Sequence, residues 1–340
     1  MTNGSQASQR ALPVEVRRTA GVKKEGSYIV LLKPSVDKAA FLAWLKQQLT
    51  GNSVITHDYP ADFSNSFAGL FDEESLGLLR SSADVERISE VRLMENTSWN
   101  LNRLSQRPKL AFKYAYESEA LGKGVDIYIV DAPVTDALRS FHQVEFGGRA
   151  KWGWAAPGLP QIDETGHGTK VAGIAAGKRW GIAKEANLFA VKTHSRESKG
   201  GMSYIWAVSK GRTSVVNMSF GFTTPQPDID EGIAKFTARG IHVCAAAGND
   251  GVREGSVVDL FAPGSSVTTA TIGSNTALDD MSGTSAACPH VAGLAAAFVS
   301  YFGDTSAAKI KELIINAATP NALDDIPEGT PNLLTYNLCR

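Results

Sequence analysis

The sequence predicts an α/β protein built on a mainly parallel sheet, preceded by a small α+β unit. Three observations carry that reading. Near-continuous apolar runs at 125–130 (VDIYIV), 188–191, 215–218 and 241–246 suit parallel strands covered on both faces. Helical patterns lie between or after them, at 167–176, 204–210, 228–239, 285–302 and 306–317. Alternation of the two indicates an α/β layer with helices on both faces of the sheet. Upstream, residues 26–95 follow a different rhythm.

That upstream unit opens with the β-rich run 27–32 (SYIVLL). Residues 38–49 place Phe41, Trp44, Leu45 and Leu49 at helical spacing. Strands are expected at 54–59 and 66–71, a short amphipathic helix at 73–82 with Leu76, Leu78 and Leu79, and a last strand at 85–93. The order β-α-β-β-α-β fits a ferredoxin-like plait. Residues 1–25 are polar and contain glycine, so they read as a mobile tail without a signal-peptide core. Residues 96–123 connect the small unit to the body at 124–340.

The 340 residues are 43% hydrophobic and 20% charged, a globular mix that excludes a largely disordered or collagen-like chain. No run of about 18 apolar residues predicts a membrane-spanning helix. Net charge is +3 over residues 1–25, −4 over 26–95 and zero over 96–340. A neutral body lacks the basic stripe of a nucleic-acid binder. Three cysteines, Cys244, Cys288 and Cys339, cannot build a disulfide scaffold.

Chemistry concentrates in three local sequences. Asp131 closes the strand at 125–130. His167 lies between glycines in Thr165-Gly166-His167-Gly168-Thr169, at a helix start. Ser285 opens a small-residue helix in Ser282-Gly283-Thr284-Ser285-Ala286. Strand ends and helix starts converge on one edge of an α/β sheet. A serine hydroxyl needs an imidazole to take its proton, and the imidazole needs a carboxylate to fix its tautomer. Asn249 in Ala246-Ala247-Gly248-Asn249 offers a side-chain N–H to developing negative charge, beside the backbone N–H of Ser285. Taken singly, Asp131 and Ser285 read as caps and Asn249 as a turn residue. Cys288, one turn after Ser285, is a conceivable nucleophile but reads better as a small buried hydrophobe. Asn217, in an Asn217-Met218-Ser219 sequon, is expected in the core.

The chain order Asp131, His167, Ser285 is that of subtilisin-type enzymes. The blocks GHGTKVAGIAAG, VVNMSFG, AAAGND and SGTSAACPHVAG resemble the signature blocks of subtilases, and the body is similar to their fungal proteinase K-like branch. Residues 26–95, beginning SYIVLLKP, resemble the inhibitory propeptide of that branch. The resemblance implies a subtilisin-like fold and a serine endopeptidase made as a self-processing zymogen. Ser285 would be the nucleophile, His167 the base, Asp131 its orienting carboxylate and Asn249 the oxyanion donor. Gly200-Gly201 and Ser219-Phe220-Gly221 would be backbone strands flanking an extended polypeptide substrate. Ala246, Ala247 and Gly248 would wall the pocket for the residue before the cut. The propeptide unit would inhibit in cis, with self-cleavage near 94–98. Extracellular or vacuolar location is implied, and a monomer is expected, without nucleic-acid or membrane partners.

The sequence also departs from that pattern. Asp131 is followed by Ala132-Pro133, where the family carries Ser or Thr and then Gly. The stretch between Gly201 and Val215 is short, so its helix is expected to be truncated. After Asp250 the family carries another core strand, the pocket floor and calcium ligands, whereas here Phe261-Ala262-Pro263-Gly264 follows a short linker. Closing the sheet would require 257–261 to serve as a replacement strand. No metal or other cofactor is therefore expected, structural calcium being the one family option. The alternative function is a catalytically impaired subtilase-like binding or regulatory protein, a pseudoprotease. A third is that only 26–95 folds, as an inhibitor.

Overall fold

The computed structural model describes residues 13–17, 22–59, 64–95, 97–106, 113–117, 120–131, 144–193, 198–222, 224–250, 257–303 and 306–338. They divide into two compact units, Met1–Leu93 and Met94–Arg340.

The first unit contains β1 (Val16–Arg17), β2 (Val22–Leu32), α1 (Lys38–Gln48), β3 (Val54–Asp58), β4 (Ser66–Leu70), α2 (Glu73–Ser81) and β5 (Val85–Glu95). Each helix starts on an aspartate. Asp37 accepts from the N–H of Ala40 at 3.1 Å, and Asp72 from that of Ser75 at 2.8 Å. The strands run β1-β5-β2-β4-β3, and the neighbouring pairs β5–β2, β2–β4 and β4–β3 are each antiparallel. This is the plait order the sequence predicts. Val30, Leu45, Phe67, Leu79 and Ile88 are fully buried at its centre.

The mobile-tail expectation needs correction for residues 13–17 and 22–25. β2 starts at Val22, and β1 pairs in parallel with β5. Val14 and Val16 pack on the core, and the Val14 N–H donates to the Arg80 carbonyl at 2.7 Å. An apolar alternation within a polar stretch suffices to close an otherwise open edge.

The second unit contains α3 (Trp99–Leu104), β6 (Lys113–Glu117), β7 (Asp126–Asp131), β8 (Ala150–Ala155), α4 (His167–Ala176), β9 (Asn187–Lys192), α5 (Ser198–Val208), β10 (Ser214–Met218), α6 (Pro227–Ala238) and β11 (His242–Ala245). There follow β12 (Val267–Ala270), β13 (Leu278–Met281), α7 (Thr284–Phe302), α8 (Ala307–Ala317), β14 (Thr319–Pro320) and β15 (Leu333–Leu334). The main sheet runs β11-β10-β7-β9-β8, every pair parallel. Tyr128, Val130, Val216 and Met218 face α5 and α6 through Ile205, Ile229 and Phe236. Helices α4 and α7 pack on each other and against β7 and β10. Gly293 of α7 makes that closeness possible, since a Cβ there would meet the Ala175 carbonyl at 2.5 Å. Helix α7 is apolar and long enough to cross a membrane, but 72% of its apolar window is buried in the protein's own core.

Two expectations fail in this unit. Residues 257–261 do not enter the main sheet. Phe261 bridges Leu334 instead, its N–H donating to the Leu333 carbonyl at 2.8 Å, so β11 is the terminal strand among the described residues. The helix expected at 204–210 is not truncated at its start but begins at Ser198. Gly200 and Gly201 are therefore helical, not an extended edge for a peptide. Gly201 is buried, and a Cβ there would sit 3.0 Å from Val191 Cγ1 and 3.5 Å from the Trp154 ring, so its absence lets α5 lie close to the sheet.

Candidate active site

Asp131 ends central strand β7, paired in register with Lys192 of β9. His167 is the first residue of α4. Its Nδ1–H donates to the Asp131 carboxylate, 2.7 Å from Oδ2 and 2.9 Å from Oδ1. A carboxylate only accepts, so this bond leaves Nε2 of the neutral ring as an acceptor. Gly168 lies beside the pair, where a Cβ would make only ordinary contact, 3.4 Å from Asp131 Oδ2. Burial pulls the His167 pKa down. The hydrogen bond and charge of Asp131, with the charge of Asp163, outweigh it and leave the pKa above the ordinary imidazole value.

Two groups that sequence reasoning missed hold this start of α4. Asp163 accepts from the N–H groups of Gly166 at 3.0 Å and Thr169 at 2.6 Å. Those are donors a helix start leaves unpaired. The signal was present, an aspartate shortly before a helix, but Gly166 occupies the cap position itself with φ +81°. Buried Lys192 binds Glu164 Oε2 at 2.5 Å and the carbonyls of Ile162 at 2.9 Å and Pro160 at 3.2 Å. The chain leading into His167 is thereby fastened to the end of β9.

Ser285 is the second residue of α7, whose start has no side-chain cap. Its hydroxyl donates to the Ser219 carbonyl at 2.9 Å, and the Ser219 hydroxyl donates to the Ser285 carbonyl at 3.0 Å. No hydrogen bond joins Ser285 to His167. Asn249 follows β11 and lies against the same helix start, its Oδ1 accepting from the Thr284 N–H at 2.8 Å. The Thr284 hydroxyl donates to the Gly248 carbonyl at 3.1 Å. Ala246 is half-buried and linked to Met218, its N–H donating to that carbonyl at 3.0 Å, whereas Ala247 and Gly248 are exposed. Of the expected peptide-flanking residues, Ser219, Phe220 and Gly221 directly follow β10 outside any helix. The Ala132-Pro133 departure and the segment 251–256 lie outside the described residues.

Other candidates separate cleanly. Cys288 is buried, and burial pushes its thiol up to about 12, far from a nucleophilic thiolate. His290 donates from Nδ1 to the Ala286 carbonyl at 2.8 Å and accepts from Asn100 at Nε2 at 2.9 Å. Burial holds its pKa near about 4, so it is neutral. Among the described residues no group of three or more His, Cys, Asp or Glu is placed to hold a metal ion.

Comparison with known proteins decides the family. The subtilase family model matches residues 122–274 and 252–332. The chain belongs to the subtilase family. Alkaline protease 1 of Emericella nidulans is 33% identical over 386 positions, covering 96% of this chain and 94% of the relative. The subtilisin-like serine protease Pen ch 18 of Penicillium rubens is 32% identical over 92% of this chain and 80% of its own length. The crystal structure of a cold adapted subtilisin-like serine proteinase superposes with a TM-score of 0.63 at 28% identity, covering 72% of this chain and all of that one. An alignment of 386 positions exceeds the 340 residues here, so alkaline protease 1 carries dozens of residues with no counterpart in this subtilase. The two family matches overlap at 252–274, a few residues after Asn249.

Proposed function

We propose that this subtilase is a serine endopeptidase in which Ser285 attacks the peptide carbonyl, His167 takes the serine proton, and Asp131 orients and stabilises the imidazolium. The observation that carries the reading is the Asp131–His167 bond at the carboxyl end of the central strand. It leaves Nε2 with the lone pair a general base needs, a function worth about 10²- to 10⁴-fold in rate. At rest the Ser285 hydroxyl donates to the Ser219 carbonyl, and attack requires it to leave that carbonyl and give its proton to the lone pair. Negative charge on the carbonyl oxygen would fall to the Ser285 N–H and to Asn249 Nδ2. The proton then passes from His167 to the leaving amine, and water hydrolyses the acyl-enzyme by the same sequence.

The plait at 26–95 would serve as folding aid and inhibitor, and self-cleavage at 94–98 would release the mature form. Purified full-length chain should shorten to that boundary on a gel, while the Ser285→Ala chain stays intact. Identical behaviour of the two would sink the zymogen reading. A peptidase assay on an unstructured protein substrate tests hydrolysis itself.

One observation favours a second reading, a catalytically impaired binding protein. The two family matches overlap at 252–274, shortly after Asn249, and alkaline protease 1 carries dozens of residues with no counterpart in this chain. Tight peptide binding without turnover would support it.

A further inference from the structure

Strand β10 reads Ser-Val-Val-Asn-Met and is buried throughout. Asn217 is the anomaly, a fully buried amide in a parallel strand where an apolar side chain would cost nothing to desolvate. Its sequon is sealed inside the sheet. Its Oδ1 has no hydrogen-bond partner among the described residues, a penalty that calls for a reason.

The other end of the amide supplies one. Asn217 Nδ2 donates to Ser219 Oγ at 2.9 Å. Ser219 is itself buried, and its single hydroxyl proton goes to the Ser285 carbonyl at 3.0 Å. The Ser219 carbonyl in turn accepts from Ser285 Oγ. The direction of every bond is thus set, from Asn217 through Ser219 to Ser285. Ser285 is gripped at its main chain by one atom of Ser219 and at its side chain by another.

We propose that Asn217 and Ser219 are positioning residues for Ser285. This rests on the reading of Ser285 as the nucleophile. The Ser219 hydroxyl fixes where the main chain of Ser285 sits, and Asn217 fixes the Ser219 hydroxyl. The Ser219 carbonyl holds the Ser285 hydroxyl at rest. Small misplacements of a reacting atom cost rate far more than they cost substrate binding.

The test uses the full chain, steady-state peptidase kinetics and the labelling rate with a fluorophosphonate probe. Ser219→Ala and Asn217→Ala should each lower kcat and labelling about tenfold, with KM within about twofold and the acid-limb pKa unmoved. Ser219→Thr, which keeps the hydroxyl, should recover most of the loss. The double variant should lose no more than Ser219→Ala alone, because the two residues act in series. Wild-type kcat in Ser219→Ala, a loss confined to KM, or additive losses in the double variant would overturn the proposal. Wild-type chain that takes no probe would instead overturn the protease reading beneath it. If Ser219→Ala fails to fold, Asn217→Ala carries the same test one residue further back.

Discussion

The Thr284 N–H donates to Asn249 Oδ1 at 2.8 Å, and that bond fixes which end of the amide faces the helix start. With Oδ1 committed, Nδ2 is the end left to meet developing charge beside Ser285. A Cβ at Gly283 would lie 3.2 Å from either amide atom, so glycine there keeps the two segments in register. Asn249→Ala should lower kcat by about 10²- to 10³-fold with little change in KM. Steady-state kinetics on one peptide substrate checks it, and an unchanged kcat would remove Asn249 from the chemistry.

Burial lowers the His167 pKa, Asp131 and Asp163 raise it, Lys170 lowers it again, and the net direction is upward. The acid limb of kcat/KM should therefore lie above the ordinary imidazole value of about 6.5. Activity is lost as pH falls through it, because the protonated ring cannot act as base. Asp163→Asn should move the limb down and Lys170→Met should move it up. A pH–rate profile of each variant reads the shift directly.

Much of this was legible in sequence, and particular residues show why the rest was not. Asp131, His167 and Ser285 sit in blocks that resemble, in order and in sequence, the signature blocks of subtilases. The first bond, from His167 to Asp131, follows from those blocks, whereas the resting contact of Ser285 with Ser219 depends on a rotamer that no spacing encodes. Helix α5 was expected to be truncated because few residues separate Gly201 from Val215, whereas it reaches back to Ser198 and sets Gly201 close against Val191 and Trp154. Asp163 and Lys192 act through backbone groups, and such partners leave no pattern in side-chain order.

Lys184 supplies a stability test. Burial drives its pKa down to about 7, while Glu145 opposes the shift. Its ammonium donates to the Gly181 carbonyl at 2.6 Å. A folded pKa below the unfolded value means stability present above about pH 10.4 and lost as pH falls toward 7. Wild-type Tm should therefore rise between pH 7 and 9 by more than that of Lys184→Met. The added slope is at most about 1.4 kcal/mol per pH unit. Parallel Tm profiles for the two chains would contradict this.

The edge strand β1 makes a local prediction. Val16→Asp would set a charge against the core that Val14 and Val16 cover, weakening the pairing with β5. Hydrogen exchange at Ile88 and Ser89 should speed up about tenfold, while amides of β7 stay protected. Unchanged exchange would mean that the plait does not depend on residues 13–17.

The central claim is that Ser285 is a nucleophile activated by the His167–Asp131 pair. Fluorophosphonate labelling followed by peptide mass mapping tests it most directly. The account predicts near-stoichiometric modification at Ser285 in the wild-type chain, and labelling slowed by about 10³-fold or more in His167→Ala. A wild-type chain left unmodified, or one modified equally fast without His167, would contradict it.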